Sequence, residues 1–138
     1  MATTPTFAST PKIGLNQTAA AQTARDTFAV AGGDLVLTAG ANGTRVDRVD
    51  IISAALVGGG APSANVARLW IYDGASVRLL VEVEVPSTTP TASVKGFTSA
   101  VNFPNGLILP AGYSLRATIH TYAGAPDKMN FIAHAADY

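Results

Sequence analysis

Cysteine is absent from the sequence. A disulfide scaffold, a thiolate zinc site and a thiol nucleophile are excluded with it, and the chain is indifferent to the redox state of its compartment. Charge is scarce as well. Nine Lys and Arg balance nine Asp and Glu, 13% of the chain, where about a quarter is usual. So few charges, with no net charge, leave little repulsion between copies and favour association; a plain globular domain rich in Thr, Ser and Asn is the competing reading. A basic patch is also missing. Arg45 and Arg48 come with Asp47 and Asp50, so phosphate neutralisation has no footprint and a nucleic-acid partner is not expected. No apolar run approaches the roughly 20 residues of a membrane-spanning helix, so no membrane partner is expected. Met1 to Phe7 has neither the basic nor the hydrophobic part of a secretion signal. The expected location is therefore the cytoplasm of synthesis, until release by lysis.

What is present is a β pattern. The length of 138 residues suits one domain with a core of its own. Asp73-Gly74 separates Val66–Tyr72 from Val77–Val85, a strong hairpin signal. In the second segment Val77, Leu79, Val81, Val83 and Val85 alternate with Arg78, Leu80, Glu82 and Glu84, as in the half-buried strand of an antiparallel sheet. Tyr113 to Ile119 alternates in the same way, and Met129, Phe131 and Ala133 share one parity. Val77, Leu79, Val81, Val83, Leu115, Ile119 and Phe131 are thus expected in a single core. Further strands are expected over Thr27–Val30, Leu35–Thr38, Val46–Ala55, with a bulge near Asp47, and Ser93–Val101. Turns are expected at Asn42-Gly43, Asn105-Gly106, Pro110-Ala111-Gly112 and Gly124–Asp127. About eight to ten short strands without a long helix indicate an all-β fold, an antiparallel β-sandwich of jelly-roll type. Residues 1–26 differ. Phe7, Ile13 and Leu15 are isolated among Thr, Ala and Gln, and Pro5 and Pro11 interrupt regular structure. The division expected is an extended N-terminal arm over 1–26 and a β-sandwich domain over 27–138.

Sites for chemistry are few. His120 and His134 are the only histidines, and as neighbours in one sheet they could bind a metal with Asp127 or Asp137. Neither HxH nor HExxH spacing is present, so surface histidines are the expected reading and no metal site is assigned. Glu82 and Glu84 lie one pleat apart, but nothing nearby would raise the pKa of one as acid–base chemistry requires. Gly58-Gly59-Gly60 is not followed by the Lys-Ser/Thr pair of a phosphate loop, and no GxSxG element is present. No enzyme activity, catalytic residue or cofactor is expected. Arg68, Trp70 and Tyr72 share one face of their strand. Arg and aromatic residues are enriched at interface hot spots, so this face is either an interface or the inner side of a second layer. The candidate interface residues are Phe7, Ile13, Leu15, Arg68, Trp70 and Tyr72.

Gly43-Thr44-Arg45-Val46-Asp47-Arg48-Val49, the segment Val66–Gly74, the segment Leu109–Ala117, Asn130-Phe131-Ile132-Ala133-His134 and the start Thr4–Lys12 together resemble a family of small virion proteins. Tailed bacteriophages and prophages encode these close to their capsid genes. The resemblance spans most of the chain, and its motifs are structural, with no catalytic or binding residue to carry over. It implies a structural protein of the virion, a homo-oligomer such as a trimer, assembled in the bacterial cytoplasm. The first role it implies is capsid decoration, in which a small β-domain cements a junction of major capsid protein subunits and an arm lengthens the contact. Many modest contacts then add up. A tail, baseplate or fibre component that binds a host surface is the runner-up. A carbohydrate-binding module displaying Trp70 and Tyr72 is the third reading.

Overall fold

The computed structural model describes residues 7–138. Eight strands form two antiparallel four-stranded sheets: β1 Thr10–Thr18, β2 Leu35–Thr38, β3 Thr44–Ser53, β4 Asn65–Tyr72, β5 Val77–Val85, β6 Thr98–Leu109, β7 Ser114–Ile119 and β8 Met129–Asp137. Sheet A has the order β1-β8-β3-β6 and sheet B the order β2-β7-β4-β5. Among the described residues, helix is limited to two three-residue 3₁₀ turns, Gly32–Asp34 and Ala125–Asp127. The chain is an antiparallel β-sandwich. Only β4 and β5 are consecutive strands within one sheet; every other connection passes between sheets.

The core lies between the inner faces. Val46, Val49 and Ile51 of β3, Ala67 and Leu69 of β4, Leu115, Ala117 and Ile119 of β7, and Phe131 and Ala133 of β8 are all fully buried. Alternate residues point the same way along a strand, so these positions keep one parity within each element, save that Val46 lies across a bulge from Val49 and Ile51. The β4–β5 hairpin forms at Asp73-Gly74. Asp73 Oδ1 accepts from the backbone N–H of Ala75 and of Ser76, and Gly74 takes φ +97°. The expected irregularity in β3 is a bulge between Val46 and Arg48.

A second bulge, in β5, changes the expected core. Leu69 pairs with Val81 but Trp70 pairs with Leu79, so Leu80 is the extra residue. The parity of β5 flips there. Val81 and Val83 pack on the core, whereas Leu79 and Val77 pair with Trp70 and Tyr72 on the outer face of sheet B. Val81, Val83, Leu115, Ile119 and Phe131 belong to one core as expected; Val77 and Leu79 do not.

Four other expectations shift. Residues 10–18 form β1, paired along their whole length with β8 from Thr10↔Asp137 to Thr18↔Met129; the separate arm over 1–26 therefore does not extend through these residues, and its first six lie outside the described ones. Thr27–Val30 is not a strand. It belongs to a strap, residues 19–34, that leaves β1 and crosses sheet B. Ser93–Phe97 is loop, and Asn105-Gly106 is an interruption inside β6 rather than a turn between strands. There Asn102 pairs with Arg48 and Leu107 with Val46, and Gly106 has φ +72°. Pro104, without an N–H to donate, is tolerated because β6 is an edge strand.

One side of the sandwich is sewn shut. Asn16 Nδ2 of β1 donates to the carbonyls of Gly33 and Leu35 at 2.8 and 3.0 Å, and Lys12 Nζ donates to the Thr38 carbonyl at 2.6 Å. Side-chain donors thus cap the free carbonyls at the β2 edge. Gly14 allows the approach: a Cβ there would lie 2.6 Å from the Val36 carbonyl oxygen.

Candidate functional site

The two outer sheet faces differ. On sheet B, registered pairs place Arg68, Glu82 and Thr118 in one row and Trp70, Leu79 and Arg116 in the next. The strap covers these rows. The Phe28 ring meets Trp70 edge-on with centroids 5.0 Å apart, and Trp70 Nε1 donates to Thr118 Oγ1 at 2.9 Å. Gln22 N–H donates to the Ile119 carbonyl, and Arg68 donates to the Gln22 carbonyl at 3.1 Å. Arg116 donates to Asp34 at 2.6 Å and to the Ala31 carbonyl at 2.9 Å, and its guanidinium lies 5.2 Å from the Tyr72 ring centroid.

Arg68 and Trp70, named as interface candidates with the inner side of a second layer as the alternative, are 2% and 0% exposed. The chain's own strap occupies their surface, so they are a second core layer. Tyr72 is half-buried and its hydroxyl donates to the Gly74 carbonyl. Burial of Arg68 is offset by its partners: Nε donates to Glu82 at 2.7 Å, and a terminal nitrogen lies 3.1 Å from His120 Nδ1. Glu82 also receives Arg25 from the strap at 2.5 Å. Bonding to Arg68 first and to Arg25 second holds its carboxyl below the usual range.

Among the described residues, none covers the outer face of sheet A in this way. Its rows read Ile13–His134–Arg48–Asn102 and Leu15–Ile132–Asp50–Ala100. Ile13 is 58% exposed and Leu15 68%, and Ile108 of the same face is 50%. The charges here are already paired. Arg48 reaches Asp50 at 2.9 Å, His134 Nε2 lies 2.7 Å from Asp50, and Arg45 reaches Asp47 at 2.9 Å. Phe7, just ahead of β1, is 78% exposed. Phe7, Ile13 and Leu15 are therefore accessible, the last two on this face. Sequence reasoning missed Ile132 and Ile108 as members of the face, although an apolar residue on the polar parity of its strand was the available signal.

The residues weighed as metal ligands lie apart. His120 follows β7 in sheet B and His134 is on β8 in sheet A, so the two are not neighbours in one sheet. Asp127 is buried and accepts from Ser63 N–H at 2.7 Å and Ala123 N–H at 2.6 Å, clasping two loops. Asp137 accepts from Thr44 and from Lys12; the Thr44 hydroxyl is the chief reason its carboxyl is held low. Among the described residues no three His, Asp or Glu side chains converge as a ligand set. Glu84 is exposed and lines an open recess together with Val66, Pro86 and His120.

No family model, no curated protein and no solved structure matches this chain.

Proposed function

We propose that this chain is a non-enzymatic structural protein of a tailed-phage particle, a decoration protein that seats on the major capsid protein through the outer face of sheet A. The observation that carries the reading is the bare face itself. One sheet is covered by the chain's own strap, while the other leaves Ile13, Leu15 and Ile108 to solvent around charges that are already neutralised. Such a face can be buried against a partner without desolvating an unpaired charge, and its aliphatic and Arg content is that of an interface centre. The strand order supports reading the sandwich as a jelly roll. Eight strands in two sheets, β1-β8-β3-β6 over β2-β7-β4-β5, suit that architecture, which viral capsid domains share with lectins. The sequence resemblance to virion proteins points the same way. A carbohydrate-binding role is disfavoured, because Trp70 is buried and offers no platform for a sugar ring.

The test is cosedimentation with heads of the encoding phage prepared without this chain. Wild-type protein should bind heads stoichiometrically, and Ile13→Asp with Leu15→Asp should abolish binding while leaving the thermal midpoint unchanged. Equal binding by the double variant would remove this face from the reading. Binding to tails instead of heads would favour the tail, baseplate or fibre role.

A further inference from the structure

We infer that copies of this chain associate head to tail, with Phe7 of one copy inserted into a pocket beneath the strap of the next. The pocket has a volume of about 310 Å³. It opens between the strap and sheet B, where Ala20, Ala21, Ala29 and the Phe28 ring face Thr118. Small side chains on the strap leave room that no bulky residue among those described fills. One edge of Phe28 is used by Trp70, and a second aromatic ring in the pocket would extend that pair, an arrangement aromatic rings favour.

Phe7 fits this space in kind and in place. It is the most exposed large apolar residue described, at 78%, and the segment Phe7–Pro11 carries no charge. It cannot enter the pocket of its own copy. Ser9 N–H donates to the Asp137 carbonyl, so the chain still runs beside β8 there, and Phe7 lies two residues beyond. The pocket is at the opposite end of β1, against Gln17 and Thr18. Nine residues of strand at about 3.3 Å each separate the two ends by roughly 30 Å. A knob and a hole at opposite ends of one molecule join only between copies, and head-to-tail docking satisfies both without a reciprocal exchange.

The surroundings of the pocket agree. Its only charged lining residue, Asp34, is already bonded to Arg116 at 2.6 Å, so insertion strands no charge. Gln17 lines both this pocket and the recess beside Leu56. Leu56 and Val57, 72% and 65% exposed, therefore add apolar surface at the end that would receive the neighbour. The inference goes beyond the virion reading and is tested on purified full-length chain alone.

Sedimentation velocity over a concentration series reads it directly. Wild-type chain should self-associate, and Phe7→Ala should weaken association at least about tenfold, the loss of a hot-spot side chain. Ala29→Trp, which fills the hole, should do the same. Ala20→Trp is the second filling variant if the first alters the far-UV spectrum. Mixing Phe7→Ala, with its hole intact, and Ala29→Trp, with its knob intact, should restore one contact and give a heterodimer that grows no further. A monomeric wild type at the highest attainable concentration would overturn the inference. So would association unchanged by Phe7→Ala, or a mixture that stays monomeric.

Discussion

At the scale of single residues, the outer face of sheet B depends on one buried cation. Glu82, His120 and the Gln22 carbonyl surround Arg68 under the strap, and Glu82 ties Arg25 to the same point. The depressed Glu82 carboxyl sets the direction of a pH effect. A carboxyl with a folded pKa below its unfolded value stabilises the fold above the unfolded value, about pH 4.3 for Glu. That contribution fades as pH falls through the folded value. Glu82→Gln should therefore lower the thermal midpoint at neutral pH and shrink its fall on acidification relative to wild type. Parallel midpoint-against-pH curves for the two proteins would show that the Arg68–Glu82 bond contributes nothing specific. Asp137 titrates in the same direction, so the comparison with wild type, and not the slope alone, isolates Glu82.

At the scale of elements, the β5 bulge at Leu80 separates two leucine positions of equal appeal in the sequence. Leu115→Ala, deep between the sheets, should cost about 2–5 kcal/mol. Leu79→Ala, half-buried on the outer face beside Trp70, should cost less than half as much. Denaturant midpoints for the two variants check this, and equal losses would place Leu79 in the main core. The same bulge marks where the sequence stops being legible. The hairpin, β3 with its bulge, β7 and β8 were readable because their inward positions are apolar at period two. β5 was readable as a strand but not in its facing, since Leu79-Leu80-Val81 are apolar on both parities and cannot show where the parity flips. β1 was unreadable for the opposite reason. Its apolar residues, Ile13 and Leu15, point outward, while Gly14, Asn16 and Thr18 turn inward, because the edge must close onto the β2 backbone where a larger residue has no room. Asn105-Gly106 resembles a turn but serves as the irregularity of an edge strand. Of the interface candidates, the exposure of Phe7, Ile13 and Leu15 was legible from their isolation. The cover over Arg68 and Trp70 was not, because the strap carries no periodic pattern.

At the scale of the whole molecule, the N-terminal segment divides into two functionally different parts. Deleting residues 2–26 removes the edge strand of sheet A and much of the cover of Trp70, so the truncated chain should lack a cooperative thermal transition by circular dichroism. Deleting residues 2–8 leaves the β1–β8 ladder intact and should keep the wild-type midpoint. A folded protein lacking 2–26 would show that the sandwich is complete without β1. The β1–β8 ladder has one more consequence, which concerns synthesis. Lys12 meets Asp137 across 125 positions of sequence, and β8 lies between β1 and β3. Until β8 has left the ribosome, sheet A consists of a solitary β1 and a β3–β6 pair, with nothing to join them. Core closure thus waits for β8. It then proceeds through distant pairings, whose loop-closure cost puts β-sandwich folding in the range of about milliseconds to seconds. In that interval the apolar strands are open to chaperones and to one another.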